Sequence, residues 1–224
     1  MELHYFDGSP FARIVRVLAR EHAVDWKEIE IVEFPAPDSF LDLNPLGQVP
    51  VLVDGDCTYF PTRVVIDVLF SRVRTANGTV AMAVARPDRR VEDEQVLAVV
   101  LAMGDALVAH HYHKWAGIGP IGRDRLGFDP TERNMVRVYH ALDWLEARMD
   151  GAGFLPGLIS VQDISLACFI IWTESRGPVD WRGRPKIEAF DKEIGRPTEL
   201  CGNGAASSSA EVSVHAPSLA LKCS

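Results

Sequence analysis

The sequence predicts an α/β segment with element order βαβ-α-ββα, followed by a part built of helices alone. Two observations predict it. Short β-prone runs alternate with amphipathic helical runs as far as about residue 75, whereas from Arg86 onward the strand signals disappear and only helical periodicity remains. A strand-rich part followed by a helix-only part implies two layers of different construction, joined near Thr75 to Ala85. With 224 residues and 47% hydrophobic content, the chain is long enough to give each part a core.

Glu2 to Phe6 reads as a short strand that breaks at Asp7-Gly8. Ser9-Pro10 then opens a helix in which Phe11, Ile14, Val15 and Leu18 fall on one face. Proline suits the first helical position because its missing N–H would have no partner there. Trp26 to Val32 gives a second strand, and Pro35-Ala36-Pro37 marks a loop before a short polar segment ending at Asn44-Pro45-Leu46-Gly47. Val49 to Val53 reads as a third strand, turning at Asp54-Gly55-Asp56 into a hairpin partner at Cys57 to Phe60. Thr62 is expected to cap a helix running through Val65, Ile66 and Leu69.

In the second part, Glu92 to Tyr112, Thr131 to Met149, Ser160 to Ser175 and Pro185 to Ile194 carry helical periodicity. Asp129-Pro130 and Ser160-Val161-Gln162-Asp163 are their clearest openers, an acid before proline and a capping box. There is no internal repeat. After Arg196-Pro197 the run Gly202 to Ser209 is small and polar and the rest lacks a sustained period, so residues 198–224 are expected to form a disordered tail.

Composition excludes several functions. The formal net charge is −8, without the basic excess that draws proteins to phosphate backbones or anionic lipid, so neither nucleic acid nor membrane is an expected partner. No apolar run of about 18 residues occurs and Met1 to Tyr5 does not read as a signal peptide, which gives a cytoplasmic expectation. Cys57, Cys168, Cys201 and Cys223 are scattered, with neither a CxxC pair nor metal-ligand spacing. No disulfide framework, metal or cofactor is expected.

Two features point to chemistry. A hydroxyl at a helix start, as at Ser9, sits beside free N–H groups and the positive end of the helix dipole, where an anion such as a thiolate is stabilised. The alternative is that Ser9 is only an N-cap. Val49-Pro50 marks either an ordinary strand start or a cis turn, and a cis turn would present the Val49 backbone to an extended peptide. His110, His111 and His113, with Tyr112 and Trp115, end the first long helix and are candidates to line a cleft, although their spacing suits a metal poorly. Trp144, Phe169, Ile170 and Trp172 read as core, Cys57 as structural, and Arg13 and Arg16 as a solvated face or a dimer contact.

The stretch from Ser9-Pro10-Phe11 to Leu18, followed by Asn44-Pro45-Leu46-Gly47-Gln48-Val49-Pro50-Val51-Leu52, resembles the N-terminal domain of the cytosolic glutathione transferases, in a bacterial, serine-containing form. The second stretch is the more specific. Ser160 to Ala167 resembles that family's N-capping helix, and Asp180-Trp181-Arg182 with Pro185 and Arg196-Pro197 resembles its bacterial members. The resemblance covers roughly residues 1–197 and implies a thioredoxin-like glutathione-binding domain over 1–75 and an all-helical domain over 86–197.

That resemblance implies a catalytic Ser9 donating its hydroxyl to the glutathione sulfur, with glutathione as co-substrate and a small apolar electrophile as the second partner. It assigns glutathione binding to Gln48 at the glycyl end, to Val49 and Pro50 at the cysteinyl backbone, and to Thr62 and Arg63 at the γ-glutamyl carboxylate. Phe11, His110, Tyr112 and His113 become electrophile-pocket candidates, and a homodimer is implied. One position departs from the pattern: Pro61 stands where the family usually has an acid facing the glutamyl ammonium, a loss worth roughly 1–3 kcal/mol of binding. Asp105 from a partner subunit is the candidate substitute. The alternative function is a catalytically weak, transferase-like binding or scaffold protein. A thiol oxidoreductase would need cysteine in place of Ser9.

Overall fold

The structure, a computed structural model, describes residues 1–33, 36–73, 82–83, 85–123, 127–150, 153–176 and 179–194. The expected loop residue Pro35, most of the joint between Thr75 and Ala85, Arg196-Pro197, Cys201, Cys223 and the 198–224 tail lie outside the described residues.

The first part follows the expected order: β1 (Glu2–Tyr5), α1 (Pro10–Glu21), β2 (Lys27–Glu30), a 3-10 turn (Asp38–Asp42), β3 (Val51–Asp54), β4 (Cys57–Tyr59) and α2 (Thr62–Arg72). These strands form one sheet in the order β2-β1-β3-β4, with β2 parallel to β1 and the other pairs antiparallel. This is the thioredoxin-like arrangement. Strand β3 begins at Val51 rather than Val49 because Pro50 has no N–H to give the ladder.

Helix α1 lies on the sheet because Ile14, Val15, Val17 and Leu18 on one side are fully buried. Arg16 corrects a sequence expectation. Its guanidinium is not a solvated face: it pairs with Glu28 at 3.0 Å and Asp7 at 3.3 Å and lies 4.1 Å from the Tyr5 ring centroid. It braces α1 against both β1 and β2.

The second part contains α3 (Arg90–Trp115), α4 (Pro130–Glu146), α5 (Val161–Arg176) and α6 (Pro185–Glu193). One element escaped the sequence: β5 (Met82–Ala83) pairs in parallel with β6 (Ile159–Ser160). Two residues a side are too few to show a period. By length and composition α3 could cross a membrane, but Val96, Leu97, Val100, Met103 and Leu107 are buried as it packs on α4 and α5.

Helix α3 can approach α5 only because residue 104 is glycine. A Cβ there would stand 2.0 Å from Cζ and 2.3 Å from Cε1 of Phe169, a ring with no exposed surface and nowhere to retreat. Gly104→Ala is expected to lower stability by roughly 1–3 kcal/mol, since overpacking outweighs alanine's better helix propensity. Chemical denaturation checks this, and a variant as stable as the parent would refute the close packing.

Asp129 caps α4 as its spacing predicts. Its carboxylate accepts from the Thr131 hydroxyl at 2.6 Å and from the N–H groups of Gly122 at 2.6 Å, Thr131 at 2.8 Å and Glu132 at 3.4 Å. The Thr131 hydroxyl foremost, then the peptide donors, hold its pKa down from 3.8 to about 2 against the opposing effect of burial. A folded pKa below the unfolded one gives stability that is present above pH 4 or so and lost as pH falls toward about 2. The stability gap between wild type and Asp129→Asn should therefore shrink over that range in acid-unfolding curves, and a gap independent of pH would contradict it.

Candidate active site

Register brings the two sequence features together. His4 near the end of β1 faces Val51 at the start of β3, and Leu52 faces Tyr59 at the end of β4. The loop after β1 with Ser9, the turn before β3 with Val49-Pro50, and the turn after β4 with Thr62 therefore emerge at the same end of the sheet. Residues 9, 49 and 62 are neighbours through the ladder, not through the chain.

Each of the three contributes a different group. Ser9 is half-buried and caps α1, its Oγ accepting from the Ala12 N–H at 3.2 Å with Pro10 at the first helical position. The cap reading is thus correct, and the cap engages the hydroxyl as an acceptor only. No acid lies in the first turn of α1, and the nearby Asp7 is paired with Arg16. Val49-Pro50 is the cis turn rather than the ordinary strand start. Pro50 is buried, Val49 is half-buried and precedes the ladder, and Gln48 is exposed beside them. Asn44 shapes the turn: its Nδ2 donates to the Gln48 carbonyl at 2.6 Å and its Oδ1 accepts from the Leu46 N–H at 3.0 Å.

Thr62 needs a correction. It is the first residue of α2 rather than its cap; the cap is Pro61, joined to Phe60 by a second cis bond and offering no side-chain hydrogen bond. The N–H groups of Val64 and Val65 bond to the Pro61 carbonyl, which leaves those of Thr62 and Arg63 as the open donors of this helix end. The Arg63 side chain is turned away to α3, where its guanidinium meets Glu94 at 2.8 and 2.9 Å and also pairs with Asp67. It ties the two parts of the chain together.

A small hollow of about 20 Å³, room for about one water, lies beside this end of the sheet. Leu107, Trp172 and Val179 give it apolar and aromatic walls, and His110, His111, Lys114, Thr173 and Arg176 give it polar ones. It reaches the Ser9 loop directly, because Trp172 Nε1 donates to the Gly8 carbonyl at 3.0 Å. Edge-on contact with Trp172, ring centroids 5.2 Å apart, fixes His111, whose pKa is pushed down by burial and then by the Arg176 charge. Of the four pocket candidates only His110 is in this lining. Tyr112 is exposed, His113 is on another side of α3, and Phe11 packs edge-on against Phe169 at 5.1 Å between α1 and α5.

Asp105 is on the exposed side of α3, where the flanking helix surface still excludes enough water to push its carboxyl up. Trp172 is core, as read from sequence, though one edge reaches this hollow; Arg176 beside it is the residue that sequence reasoning missed. The signal was their i, i+4 spacing on α5, matched by His110 and Lys114 on α3. Cys57 is exposed on β4, and burial pushes the Cys168 thiol up to about 12, which keeps it protonated. Among the described residues no group of His, Cys, Asp and Glu side chains could hold a metal ion.

A family model described as the glutathione S-transferase N-terminal domain matches residues 3–76, and one described as the glutathione S-transferase C-terminal domain matches residues 129–190. The chain belongs to the glutathione S-transferase family. Among curated proteins, glutathione S-transferase D6 of Drosophila melanogaster is 23% identical over 178 residues, 78% of each chain. Among solved structures, a glutathione S-transferase from Methylobacillus flagellatus KT with glutathione bound superposes with a TM-score of 0.72 at 23% identity, covering 89% of this chain and 96% of that one. A class Gtt2 glutathione S-transferase of Vibrio parahaemolyticus gives 0.73 at 18% identity, covering 91% and 97%. At such identities the superpositions establish a glutathione S-transferase fold, with a thioredoxin-like and a helical part.

Proposed function

We propose that this glutathione S-transferase conjugates the thiolate of glutathione to a small, largely apolar electrophile at the end of the sheet where β1, β3 and β4 converge. The observation that carries the reading is that convergence: it gathers a hydroxyl at a helix start, a free strand-like edge and an uncapped helix end, which suit the sulfur, backbone and carboxylate of one extended tripeptide. Ser9 would donate to the sulfur and keep it ionised. Val49 would pair with the cysteinyl backbone, Gln48 would meet the glycyl end, and the N–H groups of Thr62 and Arg63 would receive the γ-glutamyl carboxylate. With an aryl halide, the sulfur lone pair forms the C–S bond, the halide leaves with its bonding pair, and the thiol proton has already passed to solvent.

Pro61 supports a second reading, a binding protein with little catalysis, because it offers the glutamyl ammonium no charge. In a homodimer, Asp105 of the partner subunit is the proposed compensating acid. A cytosolic location accords with the fold and is part of the same proposal. Retention on immobilised glutathione followed by an aryl-halide conjugation assay separates the readings. Retention with turnover supports the transferase, retention without turnover the binding protein, and the loss of both removes glutathione from the account.

A further inference from the structure

The peptide unit that joins Gly8 to Ser9 is held at both of its polar atoms, by two different parts of the chain. Its N–H donates to the Phe6 carbonyl at 2.9 Å, the bond that closes the turn Phe6-Asp7-Gly8-Ser9 between β1 and α1. Its carbonyl takes no part in that bond and accepts from the Trp172 indole N–H at 3.0 Å. One bond is local, and the other crosses from the helical part of the chain. A peptide is planar, so holding both atoms restrains rotation of the whole plane, and Ser9 leaves it with φ −83° and ψ 119°.

The indole that makes the second bond is itself fixed. Trp172 is 8% exposed, belongs to the core, and has the half-buried His111 ring edge-on against it, centroids 5.2 Å apart. Three residues back on α5, Phe169 packs edge-on against Phe11 of α1 at 5.1 Å, so α5 meets the chain just before and just after Ser9. On its other side Ser9 is committed to α1, its Oγ accepting from the Ala12 N–H at 3.2 Å and its carbonyl from the Arg13 N–H at 3.1 Å. The Gly8-Ser9 peptide is then the remaining variable in where Oγ stands. A half-buried carbonyl that loses its donor turns toward water or another partner, and Ser9 would turn with it.

We propose that Trp172 is a positioning residue for Ser9: its indole N–H, by holding the Gly8 carbonyl, fixes where the Ser9 hydroxyl stands at the start of α1. The consequence for conjugation rests on the transferase reading; the hold on Ser9 does not. A displacement of about 1 Å at a reacting group can cost on the order of 10²-fold in rate, so one hydrogen bond from the far part of the chain is enough to matter. Trp172 acts through the loop and not on the sulfur.

Two measurements on the full-length chain test it, both with Trp172 replaced by β-(3-benzothienyl)alanine, which keeps the shape of the ring and puts sulfur where the N–H stands. The first needs no glutathione. Amide hydrogen exchange followed by NMR should show the Ser9 N–H speeding up about tenfold relative to that of Val15 in the middle of α1. An unchanged ratio overturns the proposal, because a general loss of stability moves both together. The second is the pH dependence of glutathione conjugation. At neutral pH kcat should fall about tenfold with KM for glutathione within about twofold, and the acid limb of kcat should move up by about one pH unit, since a misplaced hydroxyl stabilises the thiolate less. Ile170→Val, which trims the same helix and leaves the bond intact, should keep the parent's acid limb. An acid limb that stays in place in the benzothienyl protein, or one that moves equally in Ile170→Val, overturns the proposal. If the wild type conjugates nothing while the Ser9 exchange ratio still rises, the transferase reading fails and the hold on Ser9 stands.

Discussion

Ser9→Ala is expected to lower kcat/KM for glutathione conjugation by roughly 10²–10³-fold, the usual cost of removing one preorganised donor from a developing or resident negative charge. The proton at stake belongs to a hydroxyl whose oxygen already accepts from the Ala12 N–H at 3.2 Å, a bond that does not use the proton. Alanine also removes the cap, a loss of about 1 kcal/mol that would confuse a measurement made near the unfolding transition. Ser9→Asp separates the two effects. Aspartate keeps the cap and should hold the melting temperature, but it puts a negative charge where the thiolate belongs and should abolish turnover. Substantial activity in Ser9→Asp would show that the hydroxyl does not serve the sulfur.

Asp163→Ala is expected to cost about 3–5 kcal/mol of stability and to lower Tm by on the order of 10 °C. Asp163 is 1% exposed, and its carboxyl accepts from the Phe154 N–H at 3.0 Å, the Ser160 N–H at 2.7 Å and the Ser160 hydroxyl at 2.6 Å. The Ser160 oxygen in turn accepts from the Asp163 N–H at 3.1 Å, which closes the capping box. Burial pushes the Asp163 pKa up and these donors pull against it, so the site depends on all its bonds being made. Alanine would strand two peptide N–H groups away from water, whereas the hydroxyl can rotate to another acceptor. The loop at Gly153, where a Cβ would stand 2.8 Å from Oδ1, should loosen from α5 at the same time. Thermal unfolding by circular dichroism gives the answer, and a Tm within two or so degrees of wild type would mean that the network carries little of the fold.

These two side chains also mark how far the sequence could be read. Asp163 and Asp129 were both legible as helix openers, because a cap is a local device whose donors lie within three residues along the chain. Its further hold on Phe154, nine residues back, was not. Ser9 was legible as a helix start with two competing meanings, of which the structure shows the cap, a bond that uses the oxygen and not the proton. The ion pairs of Arg16 and Arg63 were not legible, for one reason. Each finds its acid across the fold, Glu28 on β2 and Glu94 on α3, and no spacing rule for a helix face anticipates a partner on another element.

By itself the sequence determined the order of the main strands and helices, the caps of α4 and α5, and the family motif around Val49-Pro50, because these depend on periodicity and turn chemistry within a few residues. Tertiary structure alone decided that β1, β3 and β4 deliver Ser9, Val49 and Thr62 to one end of a sheet, that Val49-Pro50 is cis, and that Trp172 reaches the Gly8 carbonyl from 164 residues away. The physical reason is one of range. A helix or a turn is specified by neighbours that interact whatever the rest of the chain does, whereas a cleft is specified by which buried faces meet. That is settled only when Phe169 finds the space left by Gly104 and the two parts close around it.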